Sequence, residues 1–422
     1  SMSRREFARL FAMGGSAAIL SHQTLLGSKP VRMTDPITSA GTVDWKTIRS
    51  QFLMPPELTV LNAANLCPSP APILETVYNY TKRLDSKPVP SYRADMREVK
   101  EKTRQQLAKY LKVTPEEILI TRNTSESNNW VSNGLDLRAG DEVVIFSDNH
   151  PSNNEAWKER GKRFGFTVNE VLPLNPHPGF DYYLEAFKKA LTPRTRVLSF
   201  THLSNTVGDL FPAKELCGMA RKRGIITLID GAQSLGLLDV DLSDIEPDFY
   251  SGSAHKWPCG PKETGVLFVN KSLQEKFWPS IYSAYKGREG LAQTHEGLGQ
   301  RDTPAIHAFG QQIEFLRKIG QEKIEERSGD IATEIIEELQ KTKGVYIFTS
   351  NERALRSAVV TFRPANLEPA KVVKALEEDG IVATNLGGDD WAGVRFSPHF
   401  YNSNSDVERA VGAIRRYLRK GL

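Results

Sequence analysis

Short apolar runs punctuate the middle of the chain: Val143-Val144-Ile145-Phe146, Val197-Leu198-Ser199-Phe200, Ile225-Ile226-Thr227-Leu228-Ile229 and Val266-Leu267-Phe268-Val269. They are rich in β-branched and aromatic residues, and apolar positions do not alternate strictly with polar ones. Strands buried on both faces carry that signature, as in a parallel sheet covered by helices. Helical stretches separate the runs, which predicts an α/β domain. Before them, residues from about Pro68 to Arg122 read as helical, with Glu98 and Lys102 among opposite charges at helical spacing. After them, a long helix is expected from roughly Thr303 to Lys341. Beyond it, Ser357 to Phe362 and Val394 to Ser397 read as strands, and Pro369 to Asp379 and Asp406 to Arg419 as helices. The pattern predicts a large domain over 68–305 and a smaller α+β domain over 306–422 that includes the connecting helix. No internal repeat or low-complexity tract is visible.

Composition narrows the function. The 422 residues are 39% hydrophobic and 25% charged, values ordinary for a globular protein long enough to hold two domains. Net charge is only +4 and the basic residues are spread along the chain, which argues against nucleic acid as the main partner. Cys67, Cys217 and Cys259 are too few and too separated for a disulfide framework or a zinc site. At the N-terminus, Ser3-Arg4-Arg5-Glu6-Phe7 precedes an uncharged run from Leu10 to Ser28. This resembles a twin-arginine export signal over 1–30, so the expected location is the periplasm, with the cytoplasm as the alternative. No stable membrane insertion is expected once the signal is removed, since no later apolar run has transmembrane length. Residues 31–67 read as a linker and an N-terminal arm, with Pro, Gly, Ser and Thr mixed between Leu26 and Asp44.

Polar residues cluster where the predicted strands end. Ligands of open α/β sheets bind at that edge, because loops and helix N-termini converge there. Thr121-Arg122-Asn123-Thr124-Ser125-Glu126-Ser127-Asn128-Asn129 enters a helix, with Asn123 and Glu126 at capping-box spacing. Its backbone N–H groups and hydroxyls suit a phosphate, and equally a plain helix cap. Asp148-Asn149-His150-Pro151-Ser152-Asn153 and the segment from Thr201 to Gly208 read singly as ordinary loops. Leu228-Ile229-Asp230-Gly231-Ala232-Gln233-Ser234 says more. An acid ending so apolar a strand is aimed into a crevice, where it would need a cationic partner to stay ionised. Lys256 then stands between His255 and Trp257 amid small residues, a candidate for a partly desolvated amine whose neutral form attacks aldehydes. Lys262 reads as a solvated loop lysine. His150, His202 and His255 lie on separate loops without i,i+4 spacing, so no metal site is expected.

Asp230-Gly231-Ala232-Gln233-Ser234, followed by Ser253-Ala254-His255-Lys256-Trp257 and Cys259-Gly260-Pro261-Lys262, resembles the fold-type I pyridoxal-phosphate enzymes of aminotransferase class V. That family includes cysteine desulfurases, isopenicillin-N-epimerase-like proteins and a periplasmic pyoverdine-tailoring enzyme. The likeness runs from roughly Asn62 to the C-terminus. It implies a large domain with a mostly parallel sheet, a smaller α+β C-terminal domain, pyridoxal 5'-phosphate as cofactor, an amino-acid-like substrate and a homodimer. It further implies a role for each residue. Lys256 bonds the cofactor as an imine and Asp230 pairs with the pyridine nitrogen. Gln233 and Asn205 sit at the phenolic oxygen, and His150 stacks on the ring. Thr124, Ser125, Ser253 and His255 hold the phosphate, while Arg395 clamps the substrate carboxylate.

Two departures from the family follow. Desulfurases carry a nucleophilic Cys on a loop before that arginine, and the stretch from Ala383 to Asp390 has none. Cys259 reads as a small buried residue. Where the family has Gly-Thr in a loop reaching the partner subunit's phosphate, this chain has Gly299-Gln300-Arg301-Asp302, leaving the Gln300 amide as candidate donor. The resemblance thus implies aminotransferase or epimerase chemistry at Cα. The alternatives are a C–S or C–C lyase without a loop Cys, and a non-catalytic binding protein of the same fold.

Overall fold

The computed structural model describes residues 33–282, 290–388 and 391–422. The stretch expected to be an export signal, 1–30, lies outside the described residues, as do Asp389 and Asp390 of the loop without cysteine. Seven strands form the main sheet: β1 (Ile118–Thr121), β2 (Glu142–Phe146), β3 (Thr167–Val171), β4 (Thr195–Thr201), β5 (Ile226–Asp230), β6 (Phe249–Ser253) and β7 (Gly265–Val269). Their order is β1-β7-β6-β5-β4-β2-β3. All neighbours from β6 to β3 run parallel, and β7 is antiparallel to both β6 and β1. The four predicted apolar runs became β2, β4, β5 and β7. The reversal at β7 has a local cause: only eleven residues separate it from β6, too few for a helical crossover. That tight connection carries Lys256. It is pinned by hydrogen bonds from Ala254 N to Thr264 O, Cys259 N to Lys256 O and Gly260 N to Ala254 O.

Helices α1 (Ala71–Ser86), α2 (Tyr92–Leu111), α3 (Thr124–Gly134), α4 (Pro151–Phe164), α5 (Phe180–Ala190) and α6 (Ala213–Arg221) belong to this domain. The helical reading of 68–122 fails at its end. Ile118-Leu119-Ile120-Thr121 is wholly buried as β1, because pairing with β7 outweighs the helical pattern before it. The single long helix expected over 303–341 is two, α7 (Thr303–Ile319) and α8 (Gln321–Gln340). Gly320 breaks it at a φ of +98°, a conformation that glycine reaches without a Cβ clash.

The smaller sheet is antiparallel, ordered β10-β11-β9-β8, from β8 (Val345–Ile347), β9 (Val360–Pro364), β10 (Thr384–Leu386) and β11 (Gly393–Phe396). Helices α9 (Pro369–Glu378) and α10 (Asn404–Lys420) accompany it. The N-terminal arm is built into this region. Thr59–Val60 pairs in parallel with Ile381–Val382, and Ile48 and Leu61 are fully buried. Residues 45–64 therefore contribute apolar surface to the core as an arm. No described helix is long and apolar enough to cross a membrane.

A buried ion cluster ties α2 and β1 to the segment before α7. The Glu296 carboxylate accepts from Arg104 at 2.7 and 3.0 Å, from Lys100 at 2.7 Å and from Ile120 N at 2.7 Å. Burial alone pushes this carboxyl up, yet Arg104 and Lys100 outweigh burial and hold it down, at about 2. Its contribution is full above the ordinary value of 4.5 and is lost as pH falls towards 2. Glu296→Gln is expected to cost about 3–5 kcal/mol at neutral pH, because it removes the buried charge that offsets Lys100 and Arg104 and leaves the guanidinium only the half-exposed Glu101. Denaturant unfolding should show the gap between the two proteins narrowing as pH falls below 4.5. An equal gap at pH 7 and pH 3 would contradict this assignment.

Candidate active site

The C-terminal ends of the parallel strands open into a cleft of about 250 Å³. It is lined by Thr124, Ser125, His150, Asn205, Asp230, Gln233, Ser253, His255, Lys256 and Arg395, with Ala64 and Asn65 from the arm. All but one of the eleven sequence-predicted site residues meet here. Gln300 is the exception: it is exposed and donates to Tyr92 Oη at 2.9 Å, outside the chain's own cleft.

Lys256 keeps some surface towards the cleft, but its amine lies deep in the fold. Burial lowers it from 10.5 to about 8, with Asp230 opposing the shift and Arg395 reinforcing it. Asp230 ends β5 and is 2% exposed. Gly231 follows because a Cβ there would stand 2.2 Å from the Tyr250 ring. The cationic contact expected for Asp230 is replaced by amides. Asn128 Nδ2 donates to Oδ2 at 2.8 Å, Asn153 Nδ2 to the same oxygen at 3.3 Å, and Ala232 N to Oδ1 at 3.1 Å. Lys256 attracts the carboxylate from farther off. Neither asparagine was singled out from the sequence, although both lie in the polar segments that end strands.

Asn123 caps α3 by accepting from Glu126 N at 2.9 Å, as its spacing predicts. Glu126 does not complete the box; its carboxylate turns to Arg122 N and Nε. The Ser253 hydroxyl accepts from Thr124 N at 2.8 Å and lies 2.7 Å from Thr124 Oγ1. Two hydroxyls and the α3 N-terminus thus face one corner with His255, whose ring burial pushes down to about 4. His150 keeps an open face. Burial first, and then Lys256, lower its imidazole, and its Nδ1 lies 2.8 Å from Ser152 Oγ. The Gln233 amide is anchored: Nε2 donates to Ala64 O at 3.0 Å and Oε1 accepts from Trp257 at 2.7 Å.

Arg395 enters from β11 and is 4% exposed. It donates to Asn205 O at 2.6 Å, while its buried Nε has no partner among the described residues. Burial lowers its guanidinium to about 10, so it remains charged at neutral pH. All three cysteines are buried and unpaired, and none lines the cleft. Burial pushes the Cys217 thiol up to about 12 and also raises Cys259, which neighbours Cys67.

This donor set fits a phosphorylated pyridine aldehyde. It offers a phosphate corner, a carboxylate for a ring nitrogen, a lowered amine for the aldehyde and a buried guanidinium for a carboxylate.

Comparison with known proteins agrees. Isopenicillin N epimerase from Amycolatopsis lactamdurans is 29% identical over 390 residues, covering 88% of this chain and 98% of that protein. A cysteine desulfurase from Salmonella agona is 29% identical over 349 residues, covering 77% and 84%. The solved structure of a C-DES mutant with glycine covalently linked to its PLP cofactor matches with a TM-score of 0.80. Its identity is 22%, covering 87% of this chain and 98% of that one. Cysteine desulfurase CsdA from Escherichia coli matches at 0.79 and 23%, covering 90% and 99%. These likenesses establish the fold as that of the fold-type I PLP enzymes. The sequence profile described as aminotransferase class-V matches residues 60–410, and the chain belongs to that family of enzymes.

Proposed function

We propose that the protein is a pyridoxal-phosphate enzyme that moves the Cα proton of an amino acid or peptide-linked amino acid, giving aminotransfer or epimerisation. The observation that carries this reading is the meeting of Lys256, Asp230 and Arg395 in one cleft. When bound, the cofactor supplies an electron-withdrawing ring that stabilises negative charge at Cα.

The chain's residues supply the rest. Thr124, Ser125, Ser253 and His255 would hold the phosphate, Asp230 the ring nitrogen and His150 one ring face, with Asn205 and Gln233 beside the phenolic oxygen. Lys256 would bond the aldehyde carbon. Its amine, lowered to about 8, is neutral in about a tenth of molecules at pH 7, so it can both attack and accept a proton at Cα. Arg395 orients the substrate carboxylate through a planar fork. The identity with isopenicillin N epimerase supports the epimerase branch. The absence of a thiol from the cleft lining argues against sulfur transfer to a cysteine of this chain.

The test is an amino-acid panel offered to the protein with pyridoxal phosphate. Keto-acid release or inverted chirality at Cα is expected. Release of sulfide or alanine would replace the reading with a lyase, and a protein that acquires no visible cofactor band would end it. The twin-arginine-like stretch supports export to the periplasm. Fractionation of cells expressing the chain, with Arg4 and Arg5 intact or both replaced by lysine, tests that. The exposed Gln300 is available to a second subunit, in keeping with a homodimer, which solution mass measurement would check.

A further inference from the structure

The carboxylate of Asp230 is gripped from beneath by two asparagines on different helices, Asn128 on α3 and Asn153 on α4. Both are fully buried and both spend an N–H on the same oxygen, Oδ2. Their orientation is fixed from the other end. Asn128 Oδ1 accepts from Ser251 Oγ at 2.7 Å. Asn153 Oδ1 accepts from Trp157 Nε1 at 3.1 Å and from Ser199 Oγ at 3.2 Å. An indole N–H can only donate, so the Asn153 carbonyl must face Trp157 and its NH₂ must face the carboxylate. With two donors on Oδ2, Oδ1 carries, among the described residues, only the Ala232 N–H and keeps lone-pair capacity for a ligand. Plain packing between two helices and a strand would be served by apolar side chains. Two oriented amides converging on one carboxylate oxygen serve charge and direction.

We propose that Asn128 and Asn153 are positioning residues that fix the plane of the Asp230 carboxylate and turn its Oδ1 towards the cleft, and thereby set how firmly the cofactor's ring nitrogen is held protonated. The inference rests on the reading of the cleft as a pyridoxal-phosphate site. Hydrogen bonds to a carboxylate favour its ionised state, and a carboxylate that loses one competes more strongly for the proton of its cationic partner.

The experiment loads the full-length protein with pyridoxal phosphate labelled with nitrogen-15 in the ring and follows the ring-nitrogen chemical shift against pH. Asn128→Leu is expected to lower the pH at which the ring loses its proton by about 1 unit. Asn153→Leu, removing the longer contact, should lower it less. Asn128→Ala also removes the donor and adds no charge beside Asp230, and it stands in if the leucine variant does not fold. A merely structural role would reduce the melting temperature and leave the titration in place. A folded, cofactor-loaded variant that titrates with wild type overturns the inference and leaves the cofactor reading standing. A wild type that takes up no cofactor overturns both.

Discussion

Lys256→Ala is expected to abolish covalent capture of pyridoxal phosphate and to lower turnover by about 10⁴-fold, since it removes the attacking amine and the Cα base together. Wild type adds a pH signature. Only the neutral amine attacks, and burial, the largest influence on Lys256, disfavours its charged form and brings it to about 8. Capture by the cofactor-free protein should therefore speed up as pH rises towards 8 and level off above it. A solvated lysine would go on accelerating to about pH 10. Stopped-flow measurement of the cofactor band across this range distinguishes the two. A rate still climbing at pH 10, or an alanine variant that captures cofactor like wild type, would remove Lys256 from the centre of the site.

The chemistry was legible where it lay in unbroken stretches of sequence. Asp230 and Lys256 stand in two contiguous motifs, and each is a strand end or a tight turn whose polarity contrasts with the apolar run before it. β3 was missed because Thr167-Val168-Asn169-Glu170-Val171 is an edge strand with exposed and half-buried positions, so it lacks the apolar density that marked β2 and β4. β1 was lost for the opposite reason. Four residues set off from a long amphipathic helix by one short turn carry no period of their own, and only pairing with β7 makes them a strand. The amide grip on Asp230 could not be read at all. Asn128 is 102 residues from Asp230 and Asn153 is 77, and nothing in either local pattern says which way its side chain turns. Gln300 shows a further limit, because a residue expected to serve a second subunit has no signature in the fold of one.

Arg395 carries the other large expected effect, and it separates function from stability. Its guanidinium is buried, and among the described residues no carboxylate offsets the burial and its Nε has no partner. In the absence of substrate this is a cost to the fold, so Arg395→Met should raise the stability of the cofactor-free protein by about 1–2 kcal/mol. The same change should lower kcat/KM for α-amino acids by about 10²–10³-fold, as loss of a desolvated, bidentate charge contact does. Most of that loss should fall on KM, because the clamp orients a group that does not react. Arg395→Lys keeps the charge but not the fork, and should recover little. An amine without an α-carboxylate gives the control. It should be turned over equally by wild type and Arg395→Met, and a variant that loses both substrates alike would show Arg395 to be holding the cleft together and not the carboxylate.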